Sequence, residues 1–241
     1  MTATAGLSSE PPSGATAHVL VDDVDDPILD EGTWHHLRRV RRLDPGTRCT
    51  MTDGAGSWRW CRLGDGVLEP DGDTVVLSPP TPPLTVAFAL TKSAKPELTV
   101  QKLTELGIDH IVPFRASRSV VRWDETKAAF HHRRWTQIAR SAVEQSRRCW
   151  LPDIEPVTDV DDLARRGAVR LDRDGRAPSR ADTLVAVGPE GGWNPEETAR
   201  LPVAVGVGTT VLRAETAALT AGGLLAALRS GIVAPATESS T

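Results

Sequence analysis

Apolar and polar positions along this 241-residue chain follow two different rhythms, separated by a proline-rich break. Up to about Ser78 the apolar runs are short: His18 to Val21, Arg48 to Met51, Trp58 to Leu63 and Thr74 to Leu77. Asp-Gly, Gly-Asp and Pro-Gly turn signals separate them. That spacing predicts a small β-barrel. One helical stretch interrupts it, Thr33 to Arg42, with Thr33 placed as N-cap and Trp34, Leu37 and Val40 three apart. The segment Ser78-Pro79-Pro80-Thr81-Pro82-Pro83 can be neither helix nor central strand, because proline lacks the amide donor and restricts the residue before it. It marks a domain boundary.

Beyond the break, strands alternate with helices. Leu84 to Leu90 reads as a buried strand, Pro96 to Leu106 as a helix stopped by Gly107, and Ile111 to Phe114 as a strand. A long helix is expected from about Asp124 to Arg147, then a short one near Val160 to Arg165 and strands at Ala168 to Leu171 and Leu184 to Val187. A helix begun at Pro195, a strand near Val203 to Val207 and a helix from Glu215 to Leu228 close the chain. This α/β alternation implies a mostly parallel sheet covered on both faces. The expected organisation is a disordered lead-in over 1–15, a barrel over 16–80, an α/β domain over 81–234 and a disordered tail over 235–241.

Composition removes several classes of function. No run of eighteen apolar residues occurs, and Met1 to Ala15 lacks the basic-then-apolar order of an export signal, so a cytoplasmic protein without a membrane span is expected. Cys49, Cys61 and Cys149 are odd in number and form no CxxC pair, which suggests reduced core thiols, with no disulfide framework and no metal site. The net charge of −4 hides an uneven distribution. From Lys92 to Trp150 there are twelve Lys and Arg against six Asp and Glu, while the rest of the chain holds sixteen against twenty-six. A second basic knot, His35-His36-Leu37-Arg38-Arg39-Val40-Arg41-Arg42, sits in an otherwise acidic third. Arginine outnumbers lysine throughout, and its planar fork suits phosphate and base edges; a solvated helix face explains any single cluster equally well.

Two loops carry the candidate chemistry. Val185-Ala186-Val187-Gly188-Pro189-Glu190-Gly191-Gly192-Trp193-Asn194-Pro195-Glu196-Glu197 runs from a buried strand through a glycine-rich turn into a helix. Parallel sheets bind ligands outside the carboxyl ends of their strands, where glycine lets the backbone come close. Neither the dinucleotide nor the P-loop spacing is present, so main-chain groups and shape would hold a ligand here. The loop alone also reads as a tight turn with Asn194-Pro195 as a helix cap. Val205-Gly206-Val207-Gly208-Thr209-Thr210-Val211-Leu212-Arg213-Ala214-Glu215-Thr216-Ala217 repeats the strand–loop–helix design. Glu215 suits a helix start, whereas a cation there opposes the helix dipole, which singles out Arg213 as functional.

Gly188-Pro189-Glu190-Gly191-Gly192, followed some twenty residues later by Val211-Leu212-Arg213-Ala214-Glu215-Thr216-Ala217, resembles the 16S ribosomal RNA uracil-N3 methyltransferases of the SPOUT superfamily. Gln101-Lys102-Leu103-Thr104-Glu105-Leu106-Gly107, Arg118-Ser119 and Glu144-Gln145-Ser146-Arg147-Arg148 before Pro152 agree in order and spacing, and the match runs from about His18 to Leu228. The resemblance implies an N-terminal PUA-like RNA-binding barrel and a C-terminal α/β domain with a trefoil knot. It further implies a homodimer acting on 16S ribosomal RNA or the assembled small subunit, with S-adenosylmethionine bound in the knot. By position, the methyl donor would touch Val187, Gly188, Pro189, Gly191 and Gly192 in the first loop and Val207, Gly208, Val211 and Leu212 in the second. Arg213 would stabilise the uracil anion, and Glu190 would accept the proton or serve as a cap. Arg38, Arg39, Arg42, Arg118, Arg147 and Arg148 would bind RNA.

Three positions depart from the family pattern. Ala17-His18-Val19-Leu20 stands where an Arg-bearing strand is common, Arg147 stands where glycine is usual, and Thr210 occupies an often basic position. Two other readings compete: a ribose 2′-O-methyltransferase of the same superfamily, and a non-catalytic RNA-binding module, which leaves the two glycine-rich loops unexplained.

Overall fold

The computed structural model describes residues 10–12, 14–91, 95–119 and 123–234, apart from the side chain of His36. The expected tail over 235–241 lies outside the described residues, as do 1–9 and 13 of the expected lead-in. The chain divides into two compact units, residues 1–79 with 140–151, and residues 80–139 with 152–241.

The first unit is built on a five-stranded sheet: β1 (His18–Leu20), β2 (Arg48–Thr52), β3 (Ser57–Leu63), β4 (Leu68–Pro70) and β5 (Val75–Val76). Its order is β1-β2-β3-β4, with β5 also pairing β3; β1 and β2 run parallel and the other pairs antiparallel. Val19, Cys49, Met51, Cys61, Leu63 and Leu68 form its core together with Leu37 from the helical segment between β1 and β2. That segment differs from the sequence expectation at both ends. Helix α1 (Glu31–His35) starts earlier, because Asp30 is the capping residue: it accepts the Thr33 amide at 2.9 Å and the Thr33 hydroxyl at 2.7 Å. These bonds hold the Asp30 carboxyl below its ordinary range. A carboxylate three residues upstream thus outcompetes Thr33 for the cap. The helix then widens into a π turn over His36–Val40 and stops there, two residues short of the expected end; the Leu43 amide bonds the Leu37 carbonyl (3.1 Å) and Arg42 turns the chain away with a left-handed φ of 54°.

Two buried details bear on the family departures. His18 is 2% exposed, and its Nε2 lies 3.0 Å from the Arg148 carbonyl, which can only accept, so Nε2 carries the hydrogen and Nδ1 accepts from Thr50 Oγ1 at 2.8 Å. Burial, only partly opposed by the bond to Arg148, lowers its pKa to about 4. Arg147 adopts φ 59°, a conformation glycine enters without strain, and its guanidinium reaches back to the carbonyls of Pro12 (3.1 Å) and Ala15.

The second unit holds β6 (Thr85–Ala89), α2 (Pro96–Glu105), β7 (His110–Arg115), α3 (Glu125–Ser146, residues from Arg140 belonging to the first unit), β8 (Asp153–Ile154), β9 (Thr158–Asp159) and α4 (Val160–Arg165). It continues with β10 (Val169–Arg176), β11 (Leu184–Val187), α5 (Pro195–Arg200), β12 (Ala204–Val205) and α6 (Ala214–Ser230). Strand order is β12-β10-β11-β6-β7-β8 with β9 beside β7, and every pair is parallel. Every residue of β6 and β11 is buried, which explains their unbroken apolar runs. Ala87, Val112, Phe114, Leu163, Ala186 and Leu201 form one core cluster of this unit. Strand β10 runs five residues past its expected end at Leu171, with a register shift against β12 between Leu171 and Arg176. The close approach depends on Gly175, where a Cβ would sit 2.4 Å from the Val205 carbonyl carbon. The extension is anchored at its end by two 2.7 Å bonds from Arg176 to Asp182. Burial alone would raise the Asp182 pKa, but the bonds from Arg176 and Ser179 prevail and lower it.

Candidate functional site

A cavity of about 370 Å³ opens at the carboxyl ends of β10, β11 and β12, the position where parallel sheets hold ligands. The stretch after β11 contributes Val187, Gly188, Pro189, Glu190, Gly192 and Trp193, and the stretch after β12 contributes Val207, Gly208, Thr210, Val211 and Leu212. The two loops singled out in the sequence therefore meet around one space. Leu171, Asp172, Arg173 and Asp174 of the β10 extension form a further wall, with Thr198, Ala214 and Ala217 completing it.

Gly191, expected beside the others, does not line the cavity; its carbonyl accepts a hydrogen bond from Arg118 Nη1, and a Cβ at this position would meet the Arg118 side chain at 3.4 Å. Trp193 gives the first loop its shape. Its indole stacks on Phe114 (ring centres 5.9 Å apart, planes 7° apart) and donates to the Leu171 carbonyl at 3.0 Å. Gly188 makes room for this ring: a Cβ there would lie 2.8 Å from Trp193 Cε2. Behind the loop, Asn194 and Glu197 form a capping box at the start of α5 (Glu197 amide to Asn194 Oδ1 2.7 Å, Asn194 amide to Glu197 Oε2 3.0 Å). Glu197 is 2% exposed, and its Oε1 accepts the Ser117 amide at 2.7 Å. One carboxylate thereby ties the turn after β7, which carries Arg118, to the turn after β11.

Glu190 lines the cavity, and its Oε1 accepts a hydrogen bond from the Thr91 hydroxyl at 2.8 Å. Arg213 is the N-cap residue of α6, between the lining residues Leu212 and Ala214. Its own side chain is exposed, does not line the cavity and has no partner among the described residues. Of the arginines expected on RNA, Arg39 and Arg42 are exposed. Arg38 donates to the Leu43 carbonyl at 2.5 Å and lies 5.8 Å from the Trp34 ring centre, Arg147 holds Pro12 and Ala15, and the Arg148 carbonyl receives His18.

The thiols stand outside the chemistry. All three are free and buried, and burial pushes Cys61 and Cys149 up to about 12, so neither forms the thiolate a nucleophile requires. His110, Asp153 and Glu155 at the amino ends of β7 and β8 lie close enough to hold a metal, but Glu155 is already engaged by Arg166 at 2.7 and 2.8 Å. Sequence reasoning missed Trp193, although a large aromatic side chain directly after a glycine pair was a usable signal. It also missed Thr91 and the Asp172–Asp174 wall, since the expected strand ended at Leu171.

A family model described as an RNA methyltransferase domain matches residues 78–226. The chain is 35% identical to ribosomal RNA small subunit methyltransferase E of Mycobacterium bovis, over 84% of this chain and 87% of that one. It is 32% identical to the protein of that name from Bacillus subtilis, over 77% and 83%. Among solved structures, ribosomal RNA small subunit methyltransferase E from Neisseria gonorrhoeae, bound to S-adenosyl methionine, superposes with a TM-score of 0.69 at 25% identity, covering 88% of this chain and 97% of that one.

Proposed function

Since the chain belongs to the ribosomal RNA small-subunit methyltransferase E family of RNA methyltransferases, we propose that it methylates N3 of a uridine in 16S ribosomal RNA, using S-adenosylmethionine. The observation that carries this reading is the meeting of two glycine-rich strand-end loops around one cavity. The residues present fit the donor. A volume of about 370 Å³ lies in the range of roughly 300–1,000 Å³ typical of small-molecule sites. Leu171, Val187, Trp193 and Leu212 offer apolar wall, and the carboxylates of Asp172, Asp174 and Glu190 suit a ligand bearing sulfonium and ammonium charge. When bound, S-adenosylmethionine supplies an electrophilic methyl group.

The chain's own residues have two tasks. N3 of uracil is an imide nitrogen that becomes nucleophilic as its proton leaves, and negative charge then spreads over O2 and O4. Arg213, a guanidinium beside the cavity rim with no partner among the described residues, stabilises that charge. Glu190, a residue of the cavity lining, accepts the proton. The exposed Arg39 and Arg42 with Arg118 and Arg148 bind RNA phosphate, and Arg38 and Arg147 add to this with guanidinium donors that have no partner among the described residues. In this reading the five-stranded unit acts as a PUA-like RNA-binding barrel and the α/β unit is a SPOUT domain with a trefoil knot. The enzyme works as a cytoplasmic homodimer, on naked RNA or the assembled subunit, without a metal.

The test is to incubate the protein with methyl-labelled S-adenosylmethionine and either 16S RNA or small subunits, then digest the RNA to nucleosides. Label in 3-methyluridine is expected. Label in 2′-O-methylnucleosides would make it a ribose methyltransferase, and absence of label with retained RNA binding would make it a docking module.

A further inference from the structure

We infer that Thr91 is a positioning residue for the reaction: its hydroxyl fixes Glu190 through Oε1, leaving Oε2 as the oxygen that takes the substrate proton. This rests on the reading of Glu190 as proton acceptor. The parallel sheet itself brings the two residues level. Strands β6 and β11 are neighbours with Phe88 opposite Val187, and Thr91 and Glu190 each lie three residues beyond that pair. They are 99 positions apart in sequence and 2.8 Å apart in space. The Thr91 side chain belongs to a residue only 9% exposed, whereas Glu190 sits on an exposed turn. A buried hydroxyl donating to a carboxylate at the rim restricts a side chain that three rotatable bonds would otherwise scatter, and charge-assisted bonds of this kind are among the stronger ones. The bond outlasts the reaction. As the N3–H bond breaks, its electron pair stays on N3 and forms the bond to the methyl carbon, the carbon–sulfur bond breaks with its electrons left on sulfur, and the proton binds Oε2, while Oε1 remains an acceptor for Thr91.

The experiment compares Thr91→Val, Thr91→Ser, Glu190→Gln and the Thr91→Val/Glu190→Gln double variant. It reads the single-turnover methylation rate at saturating RNA and donor, and the donor Kd by calorimetry. Thr91→Val, close in shape but without the hydroxyl, is expected to lose about 10- to 100-fold in rate with the donor Kd within about twofold of wild type. Thr91→Ser should recover most of the rate. In the Glu190→Gln background the valine should cost nothing more in turnover, because the effect assigned to the Thr91 hydroxyl runs through that carboxylate. Thr91→Val turning over like wild type while Glu190→Gln is slow overturns this inference alone, as does a loss that is fully additive or that follows a weakened donor Kd. Wild-type turnover by Glu190→Gln removes the proton-acceptor reading, and this inference falls with it.

Discussion

A single methyl group added at Gly188 should close the site while leaving the fold standing. The backbone of Gly188 lies outside the left-handed region, so alanine meets no conformational penalty there and the effect is purely steric. Its Cβ would sit 2.8 Å from Cε2, 3.1 Å from Nε1 and 3.2 Å from Cδ2 of Trp193. The indole has no easy retreat, since one face lies on Phe114 and its nitrogen is bonded to the Leu171 carbonyl. Overpacking of this kind costs about 1–3 kcal/mol, and breaking the indole bond adds about 0.5–1.5 kcal/mol. For a chain of this size the combined loss lowers Tm by roughly 3–18 °C. Moving the ring also shifts the wall shared by Gly188, Leu171 and Trp193, so donor affinity should fall by at least ~10-fold, the equivalent of about 1.4 kcal/mol. Gly191→Ala is the control: its Cβ would meet only the Arg118 side chain at 3.4 Å, ordinary contact with a flexible group. Thermal unfolding and calorimetry with S-adenosylmethionine on both variants decide the matter. If Gly188→Ala melts and binds as wild type does, Trp193 is not the rigid element claimed for it.

Arg213→Ala should bind donor normally and lose about 10²-fold or more in turnover, since it removes a charge needed only as the uracil anion forms; unchanged turnover excludes Arg213 from the mechanism. Stability should depend on pH through His18, which is held near pKa 4 when folded against an ordinary value of 6.5. Between those values the unfolded chain binds the proton and the native chain does not, so the contribution of His18 is intact above about pH 6.5 and is lost progressively as pH falls toward 4, by about 3 kcal/mol in all. Urea unfolding at pH 7.5 and 5 should show a shallower loss in His18→Gln, and equal losses in the two proteins would contradict the buried neutral imidazole. Arg147→Ala and Arg147→Gly both release the carbonyls of Pro12 and Ala15, but only alanine retains the left-handed strain. The glycine variant should therefore be the more stable of the two by about 1 kcal/mol in urea titrations, and the reverse order would refute this account of φ 59°.

The readable parts of the fold are those that local pattern dictates. Thr85–Ala89 and Leu184–Val187 are buried on both faces and appear as continuous apolar runs, and Asn194-Pro195 marks the start of α5 by cap chemistry that needs no partner elsewhere. Failures occur where a distant contact decides. Strand β10 continues through Asp172, Arg173 and Asp174, polar residues that signal a turn, because Gly175 lets it lie against Val205 and Gly206. Three residues of the cavity wall were hidden as a result. Gly191 belongs to the motif, yet Arg118, from a different crossover, takes it away from the cavity. The departure at Arg147 was visible in the sequence, but only its backbone angle explains why glycine suits that place. Thr33 failed for a local reason, since Asp30 was the stronger cap acceptor within reach.

A capping box is ordinarily a neighbourhood matter, settled within one turn of helix. At Glu197 it is also a knot in the wiring of the sheet, because the Ser117 amide, eighty positions earlier, closes on the same buried carboxylate. The receptacle at the strand tips thus depends on two separate crossovers meeting at one side chain, and loss of that carboxylate would release both turns together. The shape of the cavity rim is in this way tied to the cap of a helix only six residues long.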